Sequence, residues 1–173
     1  MAETSVQAGL FDAGVQRPER IVMSLNPEYY DLIWAGLKRH EFRRRFVEGQ
    51  PVEWFVYLTA PVSRLAAVVE LGAAVVDAPE AIAALAEEAR PGNGASVLAY
   101  VQDLARAFAM PIRSVREYSG LDAEALRAEL GTFHPPQGYI RVAHNLGWSR
   151  VCEGLVTATP VREMTVDHGG IGG

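Results

Sequence analysis

Cysteine is nearly absent: the 173 residues contain one, Cys152. A single thiol rules out an intramolecular disulfide framework and fits a reducing compartment, so the expected location is the cytoplasm. Long apolar stretches are missing too. Runs such as residues 65–69 fall far short of the roughly 18 residues a membrane-spanning helix needs. The first residues, Ala2-Glu3-Thr4-Ser5, are polar or acidic, so no secretory signal and no membrane partner are expected. His40, His134, His144 and His168 show no metal-site spacing, and with one Cys no zinc set is visible. Neither Gly-x-Gly-x-x-Gly nor a P-loop occurs, and Gly94-Ala95-Ser96 lacks the nucleophile-elbow pattern. No metal and no cofactor are expected.

What remains is ordinary globular composition, 49% hydrophobic and 21% charged, in a chain long enough for one substantial core. The net charge is −5, yet residues 38–45 carry +4, leaving −9 for the rest. A basic stripe (Lys38, Arg39, Arg43, Arg44, Arg45, with one acid, Glu41) on an acidic body points to an anionic ligand. A solvated charge run is the plainer alternative.

Residues 1–19 show no periodicity and are expected to form a flexible arm. Residues 21–25 then suggest a strand. Asn26-Pro27-Glu28 combines an N-cap, a first-turn proline and an acid at the positive helix end. Tyr30, Ile33, Trp34 and Leu37 follow at helical spacing, which predicts a helix over residues 27–37 with those four buried. From residue 39 to 46 the chain alternates. Glu41, Arg43 and Arg45 face one way, and His40, Phe42, Arg44 and Phe46 the other. Trp54 to Leu58 is a strongly β-prone run. Residues 65–71 and 74–76 suggest a further strand kinked at Gly72.

At Pro79 the character changes. Ile82, Leu85, Ala86 and Ala89 predict one helix; Val97, Val101, Leu104 and Phe108 predict a second that stops before Pro111. A third runs from Asp122, its N-cap, to Gly131. Strands are expected near 139–142, 150–157 and 161–166, with Cys152 buried on the second. Residues 167–173 suggest a flexible glycine tail. The simplest organisation is one α+β domain over residues 20–166, with a helical insertion at about 79–110.

The segment Ser24-Leu25-Asn26-Pro27-Glu28-Tyr29, followed by Gly36-Leu37-Lys38-Arg39-His40-Glu41-Phe42-Arg43-Arg44-Arg45, resembles the opening motif of ASCH domains. In that family a strand leads through Ser-x-x-Pro-Glu into a helix ending in Gly-x-Lys, and a Glu-x-Arg-Arg-Arg strand follows. Val56-Tyr57-Leu58-Thr59-Ala60-Pro61-Val62 is similar to the family's next strand and turn, and Ala67 to Leu71 to the strand after it. Tyr118-Ser119-Gly120-Leu121 and Pro135-Pro136-Gln137 resemble later elements. The resemblance implies a PUA-like β-barrel of about five to seven strands, with a cleft between barrel and first helix. It also implies RNA binding or a role in translation, with some relatives acting as amide hydrolases on modified cytidine or as ribonucleases.

In the hydrolase relatives the chemistry is assigned to a Lys, a Thr three positions on and a Glu on a later strand. Lys38 takes the first place, Glu41 replaces the Thr, and Glu70 is the candidate for the third. Losing the hydroxyl speaks against amide hydrolysis, and an ion pair is the plain account of Glu41. Lys38 itself has three readings: a helix-end cation, a phosphate ligand or a base activated by burial. The binding candidates are Ser24, Asn26, Tyr29, Lys38, Arg43, Arg45 and Gln137, guanidinium groups suiting phosphate. Of the aromatics that could stack on bases (Tyr29, Trp54, Tyr57, Tyr139), Tyr29 lies off the buried helix face and should be exposed. The leading expectation is a binder of RNA, of single-stranded nucleic acid or of a modified nucleotide. The alternatives are a small hydrolase of nucleosides or RNA using Lys38 with Glu41 or Glu70, and a binder of a small anionic metabolite. Oligomeric state stays open.

Overall fold

Strand β6 (Ala107–Asp122) organises the molecule, because its sixteen residues serve four other strands. The computed structural model describes residues 17–169, so most of the expected N-terminal arm and the last four residues lie outside it. Near its start β6 pairs with β2 (His40–Arg43) and β5 (Val75–Asp77); further along it pairs with β4 (Arg64–Leu71) and β8 (Arg162–Thr165). The sheet continues through β3 (Val52–Leu58) and β1 (Glu19–Leu25) to β7 (Tyr139–Arg141), eight strands among the described residues, curled into a half-barrel. β1 and β3 run parallel; the other pairings are antiparallel. This is the expected α+β class with one strand more than the upper expectation. Gly120 sits where the register between β6 and β4 shifts. It takes φ +73°, and a side chain there would run into the backbone of Leu65.

Alternation along the strands divides the core. Ile21, Met23, Trp54, Val56 and Val69 pack on the inner face of the curl, while Val22, Phe55, Tyr57 and Val68 face the opposite side. The inner face is closed by helix α1 (Pro27–Trp34). The outer is covered by α4 (Ala123–Leu130) and α5 (Leu146–Thr157). Helices α2 (Pro79–Ala89) and α3 (Asn93–Val101) form a third cluster with Phe42, Ala107 and Ala109. No helix among the described residues is long and apolar enough to cross a membrane.

Three expectations are corrected. α1 ends at Trp34 rather than residue 37; Gly36 turns the chain at φ +75°, and Leu37 is exposed instead of buried. The second middle helix stops at Val101, so Phe108 and Met110 lie in β6 and the helical segment is shorter than 79–110. Residues 150–157 are helix, not strand, and Cys152 sits on α5, where burial pushes its thiol up to about 12. The caps read from sequence are present: Asn26 Oδ1 accepts from Glu28 N at 2.9 Å, and Asp122 Oδ1 from Ala125 N at 2.8 Å.

α1 is pinned to the sheet by a polar clamp. Tyr30 Oη donates to Glu117 Oε2 at 2.6 Å, Arg162 donates twice to the same carboxylate, and its guanidinium lies 3.9 Å above the Trp34 ring. At the start of β2, His40 packs 5.3 Å from the His168 ring, with Nδ1 buried and unbonded among the described residues. Burial, helped by His168, Lys38, Arg39 and Arg113, pushes its pKa from 6.5 to about 4. The unfolded chain therefore binds a proton at His40 that the folded chain refuses. This contribution to stability is complete above about pH 6.5 and is expected to be lost progressively as pH falls towards 4. Denaturant titrations of His40→Gln should lose that part of the pH dependence; a difference from the parent that is constant from pH 7 to 4 would refute it.

Candidate functional site

The turn after α1 and strand β2 bring three charged side chains to one wall. Leu37 and Lys38 both donate backbone N–H to Leu32 O, which folds the chain back beneath α1. On β2, Glu41 and Arg43 stand two residues apart and share a face. Lys38 Nζ lies 3.6 Å from Glu41 Oε1, and Arg43 Nη2 lies 3.9 Å from Glu41 Oε2. Lys38 and Glu41 are deep, with side-chain exposures of 10% and 7%; Arg43 is at 23%. Lys38 Nζ also lies over two rings, Phe42 at 5.3 Å and Tyr29 at 5.7 Å.

These groups line a cavity of about 340 Å³ between the end of β1, α1, β2 and α3. Ser24, Asn26 and Tyr29 line it as well. Ser24 Oγ donates to Pro136 O at 2.7 Å, and its carbonyl accepts from Arg43 at 3.4 Å. Asn26 spends its side-chain oxygen on the cap of α1 and is otherwise exposed. Tyr29 is exposed at the mouth, as its position off the buried face predicts. Asn93, Ser96 and Tyr100 of α3 make the facing wall, with Tyr100 exposed. Sequence reasoning passed over these three. The available signal is a tyrosine beside the apolar stripe of α3, Val97 and Val101, rather than on it.

No protein-family model and no curated protein matches the chain. Solved structures do. ASCH from Zymomonas mobilis superposes with a TM-score of 0.63 at 22% identity, over 79% of this chain and 95% of that one. Its serine-to-alanine mutant gives a TM-score of 0.68 at 20% identity, over 81% and 98%. The chain has the ASCH fold. A tyrosine-to-phenylalanine mutant of the same protein agrees, with a TM-score of 0.62 at 22% identity over 79% and 98%.

Within this ASCH fold, three expected site residues, Glu70, Gln137 and Arg45, fall elsewhere, and Arg44 lies off the Glu41 face as the alternation predicts. Glu70 is exposed on β4, 3.8 Å from Arg116, and lines a separate hollow, so it does not join Lys38. Gln137 is exposed and does not line the cavity. β2 ends at Arg43, so the alternation expected to run through residue 46 breaks. Arg45 is exposed over a different hollow beside Glu48 and Tyr139. Arg44 is drawn towards α3, where it makes two 2.7 Å hydrogen bonds to Asp103 and one to Tyr100 O. Of the aromatics, Trp54 and Tyr57 are core residues: the Trp54 indole donates to Met23 O at 2.9 Å, and Tyr57 packs on Phe133. Tyr139 is half-buried against Phe46. Among the described residues no cluster of three or more His, Cys, Asp or Glu could hold a metal.

Proposed function

We propose that this protein binds a single nucleotide unit, free or within single-stranded RNA, in the cleft of Lys38, Glu41 and Arg43. The observation that carries it is a buried carboxylate set between two cations in one wall of a cavity with tyrosines at its mouth. The cavity is at the small end of ligand sites, room for one nucleotide rather than a stacked run. Two cations against one carboxylate leave a net positive wall that suits a phosphate-bearing ligand. The basic stripe does not form a continuous track, because Arg44 is held by Asp103 and Arg45 points to another surface. Tyr29 and Tyr100 offer stacking surfaces.

Calorimetric titration with the four ribonucleoside 5′-monophosphates and a short single-stranded RNA tests this. At least one mononucleotide should bind and compete with the RNA, and Lys38→Ala should remove both. Arg43→Ala should weaken binding of both the mononucleotide and the RNA, while Arg45→Ala should change neither. Equal losses for the two arginines, or no nucleotide binding by the parent protein, would exclude the reading.

The depth of Lys38 beside Glu41, with Ser96 lining the same cavity, supports a second reading. In it, water adds to the acyl carbon of an N-acylated nucleoside and the C–N bond breaks, giving a carboxylate and the free amine. Incubation with N4-acetylcytidine should then release cytidine, and Lys38→Ala should stop it. No release at high protein concentration removes this reading.

A further inference from the structure

The two oxygens of Glu41 are not equivalent. Oε1 accepts the backbone N–H of Phe42 at 2.9 Å and faces Lys38. Oε2 is buried and accepts no hydrogen bond among the described residues, Arg43 at 3.9 Å being beyond hydrogen-bond reach. Arg43 Nε is buried and unbonded as well. A buried carboxylate oxygen left in this state favours a ligand that brings an N–H to it. Flanking it are two groups that can only donate. Along the wall the order is therefore donor, acceptor, donor: Lys38, Glu41, Arg43.

We propose that the cleft selects the imide edge of a uracil ring, which presents acceptor, donor, acceptor. The ring N3–H donates to Glu41 Oε2, and the two flanking carbonyls accept from Lys38 and Arg43. The other RNA bases do not match this order. Cytosine and adenine set an unprotonated ring nitrogen against the carboxylate and an amino group against a cation. Guanine supplies a ring N–H but turns its amino group towards one of the cations. Each mismatch leaves like groups facing one another in a site where partners are scarce, which is how a hydrogen-bonding pocket rejects an analogue. The inference rests on the nucleotide reading of the cleft and adds its base preference.

The test is calorimetry on the full chain with uridine 5′-monophosphate, cytidine 5′-monophosphate and N3-methyluridine 5′-monophosphate. Uridine monophosphate should bind about tenfold or more tightly than the other two, the loss expected when a hydrogen bond to a charged group is removed. Glu41→Gln should narrow the gap between uridine and cytidine, because its amide can turn an N–H towards the cytosine ring nitrogen; its melting temperature checks that it folds. The methylated ligand is measured on the unaltered protein, so the result does not depend on that variant. Equal binding of the three ligands, or a preference for cytidine, overturns the base assignment and leaves the nucleotide reading standing. Binding of no mononucleotide overturns both.

Discussion

Replacing Trp54 by alanine is expected to lower the free energy of unfolding by about 3–5 kcal/mol. Trp54 is fully buried in the middle of β3, between Ile21 of β1 and Val69 of β4 in the sheet register. Truncation opens a cavity in the inner cluster and leaves Met23 O without its indole donor. Trp34, expected from helical spacing to be equally costly, is a different case. It is half-buried, its indole nitrogen has no acceptor among the described residues, and its ring contacts are the Arg162 guanidinium and the edge of Tyr30. Such contacts are worth about 1–2 kcal/mol together. Guanidinium unfolding of the two variants separates them: equal losses, or a Trp54 loss under about 2 kcal/mol, would place the core wrongly.

The contrast between the tryptophans shows where the sequence was legible. β3 was readable because five consecutive β-prone residues allow little else, and the start of α1 and both ends of α4 because they carry their own capping chemistry in Asn26-Pro27, Asp122 and Gly131. The start of β6 was not. Val97, Val101, Leu104 and Phe108 keep a helical period across a break, since residues from two elements happen to supply one pattern: Val97 and Val101 pack with α2, and Phe108 with the inner sheet face. α5 was misread as a strand, although Trp148, Val151, Cys152 and Leu155 mark a clean helical stripe. In the site, Lys38, Glu41 and Arg43 were legible because short-range spacing places them together. The α3 wall depends on contacts between distant segments, such as Arg44 with Asp103 more than fifty residues on, and the loss of Arg45 on the early end of β2. Local pattern carries no information about such contacts.

Glu41→Ala is expected to destabilise the protein by about 3–5 kcal/mol, because Lys38 is left as a buried cation without its counter-charge and with Arg43 nearby. Partial exposure of Arg43 places the value at the lower end. The double variant Lys38→Met, Glu41→Leu should recover most of that loss, since an apolar pair of similar volume removes two desolvation penalties together. The four corners of this cycle, measured by chemical unfolding, give the coupling between the two residues. A cost for Glu41→Ala under about 1 kcal/mol would mean a solvated surface pair and no buried recognition edge. The informative outcome joins stability to binding. If the double variant folds as well as the parent yet binds no mononucleotide, folding does not need the charges. A buried Lys–Glu pair that folding can do without is then explained by the ligand it meets.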